Sequence, residues 1–253
     1  RRMSLELTGD LVTLFRQVVD VESVSGNERA LADLVEGALR RLPHLEVVRT
    51  GDTVVARTSL GRSERVVVAG HLDTVPVAGN LPSRLEGDLV FGRGTADMKG
   101  GVAVALACAA ALDTPNRDLT WIFYDHEEVA AEDNSLTRVA REHPEWLAGD
   151  FAVLMEPTSA RVEGGCQGTL RFTLSTHGTA AHSARAWLGH NAIHDVAGPL
   201  ARLAAYQPRE VDVDGLVYRE GLNAVAIAGG IAGNVIPDAC VLTVNFRFAP
   251  DRD

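Results

Sequence analysis

Four short stretches carry side chains that could do chemistry together. They are His71-Leu72-Asp73, the glycine-rich run Phe91–Gly101 with Asp97 in its middle, Glu127-Glu128, and Glu156 before Pro157. One imidazole and five carboxylates suit a divalent cation plus carboxylates left over to orient a ligand and move protons. In extended chain His71 and Asp73 share a face, so Asp73 can hold one ring nitrogen while the other meets a metal. Asp97 stands among Gly92, Gly94, Gly100 and Gly101, which let backbone turn tightly and approach closely, as a carboxylate shared by two cations needs. Glu127 and Glu128 would point to opposite faces in a strand, but in the turn after one both can reach a single crevice. Each motif has an ordinary reading: a surface His-Asp pair, a phosphate-cradling turn, a solvated acidic turn beside Asp125, Glu132 and Asp133, a loop glutamate. The spacing around Asp97 fits neither common phosphate fingerprint, and an aspartate there would repel phosphate.

The elements that must position these residues follow from periodicity. Leu11, Leu14, Phe15, Val18 and Val19 recur at helical spacing. Ser25-Gly26-Asn27-Glu28 fits a capping box before a second helix with Leu31, Leu34, Val35, Ala38 and Leu42. Leu45–Arg49 and Thr53–Arg57 predict a hairpin around Gly51-Asp52, and Arg65–Gly70, Leu119–Tyr124 and Phe151–Met155 read as buried strands. Leu89–Phe91 reads as a short strand, and Val102–Leu112 and Leu136–Arg141 as helices. His71, Glu127-Glu128 and Glu156 then all fall just past strand ends, where open α/β sheets build their ligand crevices. After Gly164-Gly165 the pattern changes to half-buried strands at Leu170–Thr176, Ala224–Ala228 and Val241–Phe248, with a helix over Ala192–Tyr206. Two domains are expected, residues 1–163 and an inserted α+β domain over 164–253.

Composition narrows the function class. The 253 residues are 46% hydrophobic and 23% charged, enough for a real core, and the formal charge of −10 disfavours nucleic acid or an anionic membrane as partner. The longest apolar run is too short for a membrane span. Cys108, Cys166 and Cys240 have no metal-finger spacing and read as reduced thiols of a cytoplasmic protein. No signal peptide is evident; Met3 reads as the natural start and Arg1-Arg2 as an upstream extension. His126, His190 and His194 read as ordinary loop or surface histidines.

The ordered set His71–Pro76, Gly92–Gly101, Glu127-Glu128-Val129 and Glu156-Pro157-Thr158 resembles the co-catalytic zinc amidohydrolases, a family that includes aminoacylases, carboxypeptidases and desuccinylases. Gly164–Gly168, Ala181–Arg185, Gly233–Pro237 and Asn245-Phe246-Arg247 look most like its desuccinylase branch. The resemblance implies a zinc-exopeptidase-like α/β domain, its mostly parallel sheet flanked by helices, with an inserted ferredoxin-like dimerisation domain. It implies two Zn2+ per complete subunit, with Co2+ or Mn2+ as substitutes: His71 and Glu156 on one ion, Glu128 on the other, Asp97 bridging. Glu127 would be the general base, Asp73 would orient His71, and His182 would reach the oxyanion from the partner of a homodimer. A cis peptide between Asp97 and Met98 is implied as well. The implied substrate is a small N-acylated amino acid, N-succinyl-LL-2,6-diaminopimelate, in lysine and cell-wall precursor synthesis. Arg171, Arg185, Asn234 and Arg247 are candidates for gripping its carboxylates. The family also takes a further histidine on the second ion from beyond the inserted domain, so the resemblance implies that the 253 residues are a truncated form with an incomplete second site. An N-acyl-amino-acid deacylase, a dipeptidase and a catalytically silent fragment are the alternatives.

Overall fold

The computed structural model describes residues 4–252; Arg1, Arg2 and Met3 lie outside the described residues. The chain divides into two compact units, Arg1–Arg161 and Val162–Asp253.

The first unit is a three-layer α/β arrangement. Its elements in order are α1 (Leu11–Val19), α2 (Arg29–Leu39), β1 (Glu46–Thr50), β2 (Thr53–Arg57), β3 (Arg65–His71), β4 (Arg84–Glu86), β5 (Leu89–Phe91), α3 (Lys99–Ala111), β6 (Asp118–Tyr124), α4 (Ser135–Glu142), α5 (Pro144–Leu147) and β7 (Phe151–Leu154). Strand order is β1-β2-β6-β3-β7. The expected sheet is there, and it is mixed: β3 runs parallel to β6 and β7, while β2 joins β6 and β1 antiparallel. Every residue of the central β6 is buried. On one face Leu14, Val18, Leu31, Val35, Val102 and Leu106 pack from α1, α2 and α3. On the other, Val55, Val67, Ala69, Ile122 and Tyr124 meet Leu136, Trp146 and Leu147. Burying both faces explains why β3 and β6 read as continuous apolar runs.

The base of β6 holds a charge deliberately. Asp118 accepts Thr58 Oγ1 at 2.8 Å and the amides of Leu60 and Arg62 at 2.8 and 2.9 Å, with Arg65 3.8 Å away. Burial pushes its carboxyl up, but these amides, the Thr58 hydroxyl and Arg65 overcome that and hold it at about 2, below the usual 3.8. A carboxyl depressed in the folded state stabilises above its unfolded pKa, and that contribution is lost as pH falls through the folded value. We therefore expect the thermal midpoint to fall between pH 3.8 and about 2, and to fall less in Asp118→Asn, as followed by circular dichroism across that window.

The second unit is a smaller α+β body. Its elements are β8 (Gly168–His177), β9 (Ala181–His182), a 3-10 segment (Ser183–Leu188), α6 (Ala192–Asp195), α7 (Ala197–Ala204), β10 (Glu210–Val213), β11 (Leu216–Arg219), β12 (Gly221–Gly229), β13 (Val235–Ile236) and β14 (Ala239–Phe248). Antiparallel β12-β14-β8 form its main sheet, over which Ala192, Val196, Leu200 and Leu203 cover Leu174, Leu242 and Val244. The single helix expected over Ala192–Tyr206 is split at Val196, because Pro199 has no N–H to give the Asp195 carbonyl. Among the described residues no helix is long and apolar enough to cross a membrane.

Candidate metal centre

The three parallel strands end together. His71 closes β3 and pairs in register with Tyr124, the last residue of β6; Glu127-Glu128 follow β6, and Glu156 follows β7 by two residues. Asp97 arrives from the turn between β5 and α3, whose Asp97–Met98 peptide is cis. Two glycines make that approach possible. Gly94 takes φ +79, and a Cβ at Gly101 would run into the Met155 carbonyl oxygen, so only a bare Cα lets α3 start this close to the chain carrying Glu156. Lys99, buried at the helix start, ties the turn down by donating to the Val21 carbonyl at 2.7 Å.

His71, Asp97 and Glu156 each bring a ligand atom within 4.8 Å of the others, the one such metal-sized group among the described residues. His71 Nδ1 lies 2.9 Å from the Asp73 carbonyl oxygen and 3.4 Å from Asp73 Oδ1. Both are acceptors, so Nδ1 carries the hydrogen and a neutral ring turns the bare Nε2 lone pair outward. That lone pair faces Asp97 Oδ1 at 3.2 Å and Glu156 Oε1 at 3.8 Å. Three electron-rich atoms pointing at one another need a cation between them, and one nitrogen with two carboxylate oxygens is a donor set that suits zinc and its neighbours. The residues therefore fit a divalent metal.

Burial lowers the His71 imidazole, but Asp73, Glu156 and Glu127 overcome it and raise it to about 9. Without a metal, a proton on His71 Nε2 takes the cation's place, and a metal must displace it to bind. Glu156 is pushed up to about 7, by burial first and then by Asp97 and Glu127 against the pull of His71. Burial and then Asp97 raise Glu128, and burial with Glu156 and Glu127 raises Tyr124. His71 is 1% exposed while Asp97 is 53% exposed, so the centre is anchored on one side and open on the other.

Glu127 and Glu128 sit beside this group, and their charges act on it, yet the Glu128 carboxylate is not among the three that converge. Their turn is set by Asp73, which is fully buried and accepts the Glu127 amide at 2.9 Å, the Glu128 amide at 3.0 Å and Ser25 Oγ at 2.6 Å. The capping box expected at Ser25–Glu28 does not form: α2 has no side-chain cap. Ser25 is diverted to Asp73, and Glu28 turns back to the Gly26 amide at 3.0 Å. Ser25 and Glu28 thus serve the Glu127-Glu128 turn, a long-range use that local spacing does not signal.

The remaining candidates lie in the second unit. His182 ends β9, opposite Val235, and its Nδ1 accepts the Ala184 amide at 3.1 Å. A neutral His182 therefore carries its hydrogen on Nε2, ready to donate outward. Arg185 lies in the following 3-10 segment, and the Asn234 carbonyl accepts the Ser183 amide at 2.9 Å, which keeps both near His182 in this unit. Arg171 and Arg247 are elsewhere, exposed on the sheet face away from the helices, where register sets Arg171 opposite Asn245 and two residues from Arg247. The four substrate-binding candidates thus form two groups.

Comparison with known proteins matches residues 67–229 to the model of peptidase family M20/M25/M40. The chain is 57% identical over 249 residues to a Mycobacterium tuberculosis protein provisionally named succinyl-diaminopimelate desuccinylase DapE, covering 98% of this chain and 70% of that one. It is 51% identical over 254 residues to the succinyl-diaminopimelate desuccinylase of Corynebacterium glutamicum, covering 98% and 69%. A metallo-carboxypeptidase of the M20 family from Sulfolobus solfataricus shares the fold, with a TM-score of 0.75 at 16% identity over 97% of this chain and 72% of its own. With the converging His71, Asp97 and Glu156, these matches establish that the chain belongs to the M20/M25/M40 family of metal-dependent peptidases and amidohydrolases.

Proposed function

We propose that this protein hydrolyses N-succinyl-LL-2,6-diaminopimelate to succinate and LL-diaminopimelate. What supports the substrate is the 51–57% identity to desuccinylases along 98% of the chain; what supports the chemistry is the converging His71, Asp97 and Glu156. His71 and Glu156 would hold one zinc ion and Glu128 the other, with Asp97 shared; cobalt or manganese suits the same donors. Bound there, the ions would polarise the amide carbonyl and make water acidic near neutral pH.

The chain's own residues do the rest. Glu127 takes a proton from the attacking water and returns it to the leaving nitrogen as the C–N bond breaks. Asp73 holds Glu127 by its amide and fixes the His71 ring. His182, supplied by the partner in a homodimer built on the second unit, offers its Nε2 hydrogen to the oxygen that gains charge. Arg185 and Asn234, with Arg171 and Arg247, grip the substrate carboxylates.

The test is a comparison of initial rates on succinyl-diaminopimelate, acetylated amino acids and dipeptides with metal-loaded protein. Preference for the succinyl substrate supports the proposal. Hydrolysis of acetylated amino acids or dipeptides alone would reassign the protein to deacylases or dipeptidases.

A further inference from the structure

The turn carrying Glu127 and Glu128 has a second anchor besides Asp73. His126, the residue just before it, takes φ 61, a left-handed conformation that is uncommon for any residue with a Cβ. Its ring is lodged between two buried carboxylates that come from distant parts of the chain. Nδ1 lies 2.8 Å from Asp125 Oδ2 and 3.4 Å from Glu28 Oε1, and the His126 amide donates to the same Glu28 oxygen at 3.3 Å. Glu28 is 0% exposed and Asp125 3%. Nε2 lies over Gly26, 4.0 Å from where a Cβ would stand.

Each carboxylate is fixed from behind. Asp125 accepts Thr53 Oγ1 at 2.5 Å, and Ser135 Oγ takes its amide at 3.0 Å and gives to its carbonyl at 2.8 Å. Glu28 sits at the start of α2; its Oε1 also takes the Gly26 amide, and its Oε2 is buried with no hydrogen-bond partner among the described residues. A buried carboxylate so poorly served is costly unless a donor faces it. An exposed histidine in an acidic turn would not have two carboxylates buried around it, and a purely conformational position would be filled more cheaply by glycine.

We infer that His126 is a positioning residue: its ring and amide clamp the end of β6 to the start of α2 and thereby set where Glu127 and Glu128 stand. Ser25 and Glu28 come from one short loop, so the loop holds the acidic turn twice, directly through Glu28 on the His126 amide and indirectly through Ser25 on Asp73, which takes the Glu127 and Glu128 amides. The kinetic consequence rests on the proposed roles of Glu127 and Glu128; the structural one stands without them.

Two variants of the intact protein test this. His126→Gly keeps the left-handed backbone and removes the ring, and His126→Asn tolerates the same backbone while keeping a donor for Asp125. Amide exchange is read at Glu127 and Glu128 by NMR, alongside kcat, KM and thermal midpoint. In His126→Gly the two amides should exchange about tenfold faster than in the parent while the β6 and α3 amides keep their protection. kcat should fall about tenfold with KM within about twofold, since displaced catalytic groups cost rate more than binding. His126→Asn should recover most of both. Unchanged exchange at Glu127 and Glu128 in His126→Gly, or faster exchange spread evenly over the whole unit in both variants, overturns the inference. If the parent hydrolyses no amide, the proposed function fails and the exchange measurement still decides the role of His126.

Discussion

Replacing Glu127 by glutamine is expected to leave metal content unchanged and to cut amide hydrolysis by about 1000-fold, the scale on which general acid-base groups act. Glutamine has nearly the same shape and cannot take a proton from water or return one to a leaving nitrogen. The anchoring of this residue is through its main chain, the amide donating to Asp73 at 2.9 Å, so the substitution leaves the turn in place. Glu127 is also outside the group formed by His71, Asp97 and Glu156, so their convergence does not depend on it. Initial rates on succinyl-diaminopimelate, with zinc measured on the same samples, separate the two effects. Turnover within a few fold of the parent would remove Glu127 from the proton transfer.

Asp73→Ala is expected to act on stability and activity together. Its carboxylate is fully buried and accepts three hydrogen bonds, from Ser25, Glu127 and Glu128, with the His71 ring beside it. Burial alone would push this carboxyl up, but His71, Ser25 and the two amides hold it far below the usual range, so it is ionised at neutral pH. Removing it strands two backbone amides and takes a neighbouring charge from a buried imidazole, whose Nδ1 keeps the residue-73 carbonyl as its acceptor. Hydrogen bonds to a charged group contribute about 1.5–3 kcal/mol each, and breaking a buried charged pair costs about 3–5 kcal/mol, so a loss of at least about 3 kcal/mol is expected. Asp73→Asn should be nearly as harmful, because Oδ1 accepts from Glu127 while Oδ2 accepts from Glu128 and Ser25, and an amide offers one acceptor atom for the two. Denaturant unfolding of the three proteins tests this. An Asp73→Asn protein as stable and as active as the parent would show that the carboxylate does not organise the turn.

How much of this was legible beforehand depended on the range of the forces involved. His71 and Glu156 could be placed at strand ends because β3 and β7 are short apolar runs whose limits the pattern fixes, and parallel pairing then brings those ends together. Asp97 could be placed near them because its glycines demand close approach, and Gly101 against the Met155 carbonyl is such an approach. Ser25 and Glu28 were misread for a physical reason. Their spacing satisfies a local cap, and only the folded chain brings the buried Asp73 and His126 near enough to outcompete it. His126 carried no ligand spacing because its partners, Asp125 and Glu28, are one and ninety-eight residues away. Some signals were present and unused: Pro199 marks the break between α6 and α7, and Asp214-Gly215, both at positive φ, marks the β10–β11 hairpin. The division of the substrate-binding candidates into two groups depends on the register of β14 against β8, which no pattern along one strand discloses.

The claim on which the account turns is that His71, Asp97 and Glu156 hold a divalent metal. Calorimetric titration of Zn2+ into metal-free protein at neutral pH tests it most directly, with His71→Ala, Asp97→Ala and Glu156→Ala beside the parent and the exposed Glu86→Ala as control. The parent and the control should bind alike, and each of the three should lose affinity by more than about 100-fold, since even residues that merely support a ligand cost 10–100-fold. Zinc binding of equal strength in all five proteins would contradict the account.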